Sequence, residues 1–97
     1  MNPLDEVIKL LEKGWCQGAL ARDNDGKHVN VLDPTATNYC TVGAIIKITG
    51  AVSSPELRRI RKAIHKKTGL PTDYWNDSNT KENVIKTLKE LRDESSR

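Results

Sequence analysis

The side chains that could do chemistry in this sequence are those of Cys16, Cys40, His28 and His65. Cys40 falls early in a predicted helix, where the helix dipole can lower a thiol pKa and favour the nucleophilic thiolate. A cysteine nucleophile also needs a base, and the spacing places neither histidine beside Cys40. We therefore interpret Cys40 as a small buried residue that packs beside Gly43, and we expect no catalysis.

Metal and phosphate sites are disfavoured by the spacing of the candidate ligands. The cysteines and histidines form no C-x-x-C or H-x-x-x-H pair. Asp23-Asn24-Asp25-Gly26 resembles the start of a calcium loop, but its glycine comes too early and Pro34 stands where a bidentate Glu is required. The glycines between positions 14 and 18 match neither a dinucleotide-binding nor a Walker motif. The sequence therefore predicts no metal and no cofactor.

A basic run extends from Arg58 to Lys67. It contains six Lys or Arg and one His, with no acidic residue. At helical spacing these cations lie opposite an apolar row. The resulting basic face consists of Arg58, Arg59, Lys62 and Lys66. Such a face is usually only solvated, but it can also contact an acidic partner or a phosphate backbone.

A second candidate site combines large aromatic rings with amide and carboxylate groups. Its residues are Trp15, Gln17, Asp23, Trp75, Asn76 and Asp77. In one interpretation they form a recognition site for a partner or a small ligand. In the other, a tryptophan anchors a loop on the core, and Asn76 or Asp77 accepts hydrogen bonds from the backbone donors of a turn. The sequence leaves both interpretations open.

Helices are predicted to carry these residues. Helix 1 begins at Asn2-Pro3, presents an apolar stripe and ends at Gly14, which we expect to be left-handed. Helix 2 begins after Asp33-Pro34, or nearer Ala36 or Asn38, and is apolar almost all round. Such a composition is typical of a buried central helix.

Gly43 interrupts helix 2 and suggests a close contact there. A glycine costs about 1 kcal/mol of helix propensity relative to alanine. We therefore expect another backbone or a large ring to approach Gly43, and Trp15 and Trp75 are the obvious candidates.

The second half of the chain contains two further predicted helices. Helix 3 begins at Ser54-Pro55 and ends at Gly69. A loop then extends to Asn79, which resembles a capping box with Glu82 at the start of helix 4. Residues 92–97 are expected to fray.

A turn signal, Asp25-Gly26, lies between short apolar runs. It predicts a β-hairpin near Leu20–Val31, with His28–Val31 as the returning strand. Together these patterns predict a mainly α (α+β) fold, in which four helices pack around the buried helix 2 beside one short hairpin. We expect one domain over residues 1–97, since about 100 residues is a common domain size.

Composition limits the class of protein. The 97 residues carry a net charge of +3, are 36% hydrophobic and include no Phe, so we expect an aliphatic core. No apolar stretch approaches the length of a membrane span, about 20 residues. The first residues lack the basic and apolar segments of a signal peptide. We therefore expect a cytoplasmic protein with free thiols and no membrane contact.

The motif residues, taken together, resemble those of a family of small uncharacterised proteins from bacteria, notably actinobacteria, and their phages. The resemblance covers most of the chain. Its motif pieces are Gly14-Trp15-x-Gln17-Gly18-Ala19-x-Ala21-Arg22-Asp23-x-x-Gly26, Asp33-Pro34-x-Ala36, Cys40-x-x-Gly43-Ala44 and Trp75-Asn76-Asp77. The resemblance implies no activity.

Three functions are consistent with these patterns. We favour a phage or mobile-element accessory protein that binds a host protein through the basic face of helix 3 or the Trp75 loop. One alternative is a nucleic-acid-binding module that uses the basic face. The other is a small-ligand or nucleotide binder at Trp15, Gln17, Trp75 and Asp77.

Overall fold

The computed structural model of the protein describes residues 3–51 and 53–95. Within these ranges the chain forms five helices and two short antiparallel strands. The elements are α1 Pro3–Lys13, β1 Ala21–Arg22, β2 Asn38–Tyr39, α2 Thr41–Thr49, α3 Pro55–Thr68, α4 Thr72–Asp77 and α5 Lys81–Ser95. The predicted fold class is confirmed. The expected number of four helices is too low, because α4 forms inside the stretch that we predicted to be a loop.

The central helix α2 is buried from Thr41 to Ile46 and packs against α1, α3 and α4. Its predicted burial is therefore confirmed, but the predicted start after Asp33-Pro34 is wrong. Cys40 is the N-terminal cap, and its Sγ accepts a hydrogen bond from the Gly43 N–H at 3.3 Å. Asp33 instead closes a turn, since its Oδ1 accepts from Thr35 N at 2.8 Å and from Thr35 Oγ1 at 2.7 Å.

The core is mainly aliphatic, as the lack of Phe predicts, and Tyr39 and Trp75 are its aromatic members. It lies between α2 and the apolar faces of α1, α3 and α5. The side chains with no exposed surface include Val7, Leu11, Ala44, Ile45, Ile64, Val84 and Leu88. The apolar stripe of α1 is buried as the periodicity predicts. No helix in the described parts of the chain is long and apolar enough to cross a bilayer.

The strand pairing differs from the predicted hairpin. The turn forms where expected, with Asp23 N–H donating to the Lys27 carbonyl at 2.9 Å. The chain that returns from it touches β1 only at the isolated bridge between Arg22 and His28. It then leaves the ladder because Asn30 starts a new turn and Val31 enters the core. The strand that pairs with β1 is β2, not residues 28–31.

Several predicted helix ends also need correction. Gly14 is not among the left-handed glycines of the described chain, so the predicted left-handed end of α1 is wrong. A glycine stands there because a side chain would not fit. A Cβ on Gly14 would overlap the Thr37 carbonyl oxygen and lie 2.6 Å from Asn38 Oδ1. The predicted cap residue Asn2 lies outside the described residues.

The start and end of α5 differ from expectation as well. The cap is Thr80, whose Oγ1 accepts from Asn83 N at 3.2 Å, instead of a capping box of Asn79 and Glu82. Asn79 faces α4, where its Nδ2 donates to the Trp75 carbonyl at 2.9 Å. Residues 92–95, expected to fray, continue the helix. Residues 96 and 97 lie outside the described chain.

The close contact expected at Gly43 is present, and its partner is a backbone. A Cβ on Gly43 would overlap the Leu20 carbonyl oxygen and lie 2.8 Å from the Leu20 carbonyl carbon. The suggestion of Trp15 or Trp75 as the neighbour is therefore wrong. Leu20 approaches so closely because its carbonyl accepts the Cys40 N–H at 3.2 Å, just before α2 begins.

Replacement of Gly43 by Ala tests this contact. Helix propensity alone would raise the stability by about 1 kcal/mol. The overlap with Leu20 should outweigh this gain and lower the free energy of unfolding by about 2 kcal/mol. Chemical denaturation of Gly43→Ala measures the change, and Lys47→Ala, at an exposed position of the same helix, is the control. A stabilised Gly43→Ala variant would contradict the close packing.

Candidate functional site

Asn76 lies in the last part of α4 and has no exposed surface. Its Oδ1 accepts hydrogen bonds from Trp15 Nε1 at 2.9 Å, Thr41 N at 2.9 Å and Thr41 Oγ1 at 2.8 Å. Its Nδ2 donates to the Cys16 carbonyl at 3.1 Å and to Asp77 Oδ1 at 3.0 Å. One buried amide thus joins α4, the start of α2 and the segment after α1.

The bonds of Asn76 satisfy groups that the backbone leaves unpaired. The first N–H groups of a helix have no acceptor within that helix. Thr41 is the first residue of α2, so the Asn76 oxygen provides the missing acceptor from another helix. A side-chain amide both accepts and donates, which allows the same residue to take up the Cys16 carbonyl.

Gln17 binds the carbonyl groups at the C-terminal end of α4, the same end that carries Asn76. Its Nε2 donates to the carbonyls of Asn76 at 3.3 Å, Asp77 at 3.1 Å and Asn79 at 2.9 Å. These carbonyls lie at and just beyond the C-terminal end of α4, where carbonyls lack partners in the helix. The Gly18 N–H adds a hydrogen bond to Asp77 Oδ1 at 3.1 Å. The Gln17–Gly18 segment is therefore fixed to α4.

The side chains of two residues of the predicted site, Trp75 and Asp23, take no part in this hydrogen-bond network. Trp75 is only 3% exposed and belongs to the hydrophobic core. Asp23 shapes the turn, since its Oδ1 accepts from Asp25 N and Lys27 N, both at 2.9 Å. The structure thus joins four of the six predicted residues, and it joins them to one another and to backbone groups. The joined residues are Trp15, Gln17, Asn76 and Asp77.

Neither cysteine is activated. Burial raises the pKa of the Cys40 thiol to about 11. Burial also raises the pKa of Cys16, although the Arg22 guanidinium acts in the opposite direction. Both thiols are therefore protonated at neutral pH and are weak nucleophiles. In the described parts of the chain, no group of three or more His, Cys, Asp or Glu is arranged to hold a metal ion.

The basic face of α3 is exposed. Arg58, Lys62 and Lys66 form no ion pair with any described residue, and Arg59 lies 3.8 Å from Glu56 with 76% of its side chain exposed. Lys67 differs, because its Nζ lies 2.7 Å from Glu94 Oε2. The predicted basic face is thus available to a partner over Arg58, Arg59, Lys62 and Lys66.

Beside this face is a groove that sequence reasoning missed. It lies between α1, α3 and α5 and has a volume of about 520 Å³. Its apolar lining consists of Pro3, Leu4, Ile60, Ala63 and Leu91. We call it the α1–α3–α5 groove. The apolar stripes of the three helices were visible in the sequence, but their mutual placement, which leaves the groove open, was not.

A second depression lies near the turn region, where Leu20 is 40% exposed and Leu32 is 53% exposed. Tyr74, on α4, is 62% exposed. It is the only exposed aromatic side chain among the described residues, since Trp75 and Tyr39 are buried and Trp15 is half-buried.

Comparison with known proteins places the chain in a family. The sequence profile of a family of unknown function, DUF6197, matches residues 3–94. The chain belongs to DUF6197. No curated protein and no solved structure matches it. Membership of an uncharacterised family is therefore confirmed.

The role of Asn76 can be tested by truncation. Asn76→Ala removes five hydrogen bonds and leaves buried donors without acceptors. We expect the free energy of unfolding to fall by about 3 kcal/mol, since each buried unsatisfied group costs about 1–3 kcal/mol. Chemical denaturation provides the measurement, with Asn83→Ala at an exposed position of α5 as the control. A loss as small as that of the control would refute the structural role.

The raised pKa of Cys40 predicts a pH dependence. The thiol pKa is 9.0 in the unfolded chain and about 11 in the folded protein. The unfolded chain therefore releases the proton first, and the free energy of unfolding falls as the pH rises from about 9 to about 11. Cys40→Ala should lack this part of the fall. The difference in the free energy of unfolding between wild type and Cys40→Ala should thus stay constant near neutral pH and shrink between about pH 9 and pH 11. Parallel plots of this free energy against pH would contradict the burial of Cys40.

Proposed function

We propose that the protein acts by binding a host protein, without catalysis, and that the basic face of α3 contacts an acidic surface of this partner. The observation that carries the proposal is the exposure of four cations on one helix, three of which have no ion-pair partner among the described residues. Cations without internal partners are available to carboxylates of another molecule.

The charge distribution supports this assignment. Helix α3 contains six Lys or Arg and one Glu, a net charge of +5, whereas the whole chain carries +3. The remainder of the chain therefore has a net charge of −2. Such polarity accelerates association with an acidic surface and orients the two molecules as they meet.

The small-ligand alternative has less support. A ligand site needs donors and acceptors that are directed at empty space. The side-chain amide of Asn76 instead binds the Thr41 N–H and the Cys16 carbonyl. The side-chain amide of Gln17 binds backbone carbonyls, including that of Asn76. Trp75, which we also considered as a contact in a loop, is buried.

Nucleic acid remains the second candidate, because free cations also suit phosphates. Aromatic side chains on which bases could stack are missing from α3, and Tyr74 belongs to α4. We favour a protein partner because Arg59, one of these cations, lines the apolar α1–α3–α5 groove, for which a phosphate backbone offers no apolar complement. The phage or mobile-element context is part of the proposal and relies on the resemblance of the motif residues.

Charge reversal tests the proposal. Tagged wild type and the double variant Arg58→Glu, Lys62→Glu are used to capture proteins from a lysate of the natural host, with and without nuclease. Lys27→Glu, Lys86→Glu is the control, since it changes the net charge equally at exposed positions elsewhere. We expect wild type and control to retain a stoichiometric protein after nuclease, and the α3 variant to retain about tenfold less.

Two outcomes would contradict the proposal. Equal retention by the α3 variant would remove the basic face from the interface. Recovery that disappears with nuclease, and that falls steeply with salt, would instead establish nucleic acid as the partner.

A further inference from the structure

The segment after α1 runs beside the residues that lead into α2, and this pairing brings the two cysteines together. The Tyr39 N–H donates to the Gly14 carbonyl at 3.0 Å, and the Cys16 N–H donates to the Tyr39 carbonyl at 3.1 Å. These two hydrogen bonds form the isolated parallel bridge between Trp15 and Tyr39. Cys16 and Cys40 each follow one member of the bridge, so they are the next pair in the same register.

This register gives the two cysteines a separation and a direction that suit a disulfide. Paired strands lie about 4.8 Å apart, and the Cα atoms of bridged cysteines are about 4.4–6.8 Å apart. Successive side chains of an extended chain point to opposite faces, and Cys40 is extended, with φ −78° and ψ 173°. Because Trp15 and Tyr39 share one face, Cys16 and Cys40 share the other. The backbone thus places both thiols on one side of the paired segments.

The contacts of the two sulfur atoms lie in the same small region. Cys16 Sγ donates to the Ala19 carbonyl at 3.6 Å. The next carbonyl along the chain, that of Leu20, accepts the Cys40 N–H at 3.2 Å. Burial raises the pKa of the Cys40 thiol to about 11, and the negative charge of an ionised Cys16 adds to this rise. Such an effect requires the two thiols to be close to each other.

Cys16 is the thiol that an oxidant reaches first. Its side chain is 9% exposed and is followed by the exposed residues Gln17 and Gly18, whereas Cys40 is 5% exposed. Burial raises the pKa of the Cys16 thiol, but the neighbouring Arg22 guanidinium acts to lower it. The thiolate that attacks an oxidant therefore forms at Cys16 with the help of a nearby cation.

We propose that Cys16 and Cys40 form a reversible disulfide, with a small-molecule disulfide as the oxidant. The Cys16 thiolate attacks one sulfur of the oxidant, a mixed disulfide forms, and one thiolate leaves. Cys40 then loses its proton and attacks the Cys16 sulfur, which releases the second thiolate. Two protein thiols are oxidised, one disulfide is reduced, and the two leaving thiolates take up the two protons. This reaction is independent of any partner that binds α3.

The bond joins the segment after α1 to the start of α2 and closes a loop. The 23 residues between the cysteines include the turn at Asp23 and both strands. A cross-link across a loop of this size restricts the unfolded chain and thereby stabilises the folded protein. Only the reduced protein can detach the whole loop from α2, so the redox state controls the opening of this region.

Thiol–disulfide exchange on the full chain tests the inference. Reduced protein is incubated with hydroxyethyl disulfide at mildly alkaline pH, where the thiolate forms, and is then quenched with acid. We expect intact mass spectrometry to show a main product that is lighter by two hydrogen atoms. Trypsin cleaves after Arg22 and Lys27, so a non-reducing digest should contain two separate peptides joined through Cys16 and Cys40.

The unfolded chain provides the reference. Equilibration with the same disulfide and its thiol in a denaturing concentration of urea gives the equilibrium constant for disulfide formation without the fold. We expect this constant to be at least about tenfold larger in the folded protein, because the fold holds the two thiols together. By the same linkage, the oxidised protein should unfold about 10 °C above the reduced protein.

Single variants test the order of attack. Cys40→Ser should stop at the mixed disulfide on Cys16, whereas Cys16→Ser should react more slowly, because Cys40 is more deeply buried. A Cys16→Ser variant that reacts as fast as Cys40→Ser would contradict this order.

Three results obtained with the wild type alone would overturn the inference. The first is a folded protein that yields only mixed disulfides or dimers linked between chains. The second is an equilibrium constant no larger in the folded protein than in urea. The third is an oxidised protein that unfolds at a lower temperature than the reduced one.

Discussion

The fold depends on one buried side-chain amide. Asn76 has no exposed surface, yet it carries two polar groups whose burial without partners would be costly. The chain meets this constraint by bringing the first N–H of α2, the indole of Trp15 and the carbonyl of Cys16 to the same point. An amide that must find partners in three directions specifies where the segments lie more strictly than apolar contacts do.

This constraint explains why the most conspicuous polar and aromatic residues of the sequence are engaged within the protein. Gln17 is occupied with the end of α4, Trp75 with the core and Asp23 with its own turn. The longest run of exposed positive charge lies instead on α3, a helix that contributes little to this polar network.

The sequence predicted what local physics determines. The apolar periodicity of α1 and α3 and the cap at Ser54 arise within a few residues, and the structure confirms them. Predictions failed where a distant segment decided. The contact at Gly43, for example, came from the Leu20 backbone. The Asp33-Pro34 start failed for a local reason, because Asp33 Oδ1 accepts hydrogen bonds from Thr35 in a turn instead of capping a helix. The burial of Asn76 and the open α1–α3–α5 groove both result from the arrangement of several helices. Local sequence patterns do not specify that arrangement.

The most direct test of this account is native-state hydrogen exchange at the Thr41 amide. The first amide of a helix ordinarily exchanges fast, because it lacks an acceptor within the helix. The Asn76 oxygen, at 2.9 Å, should instead protect Thr41 about as strongly as amides in the middle of α5. Glu56, near the start of α3 and without an acceptor among the described residues, provides the unprotected reference. Exchange at Thr41 as fast as at Glu56 would contradict the central role of Asn76.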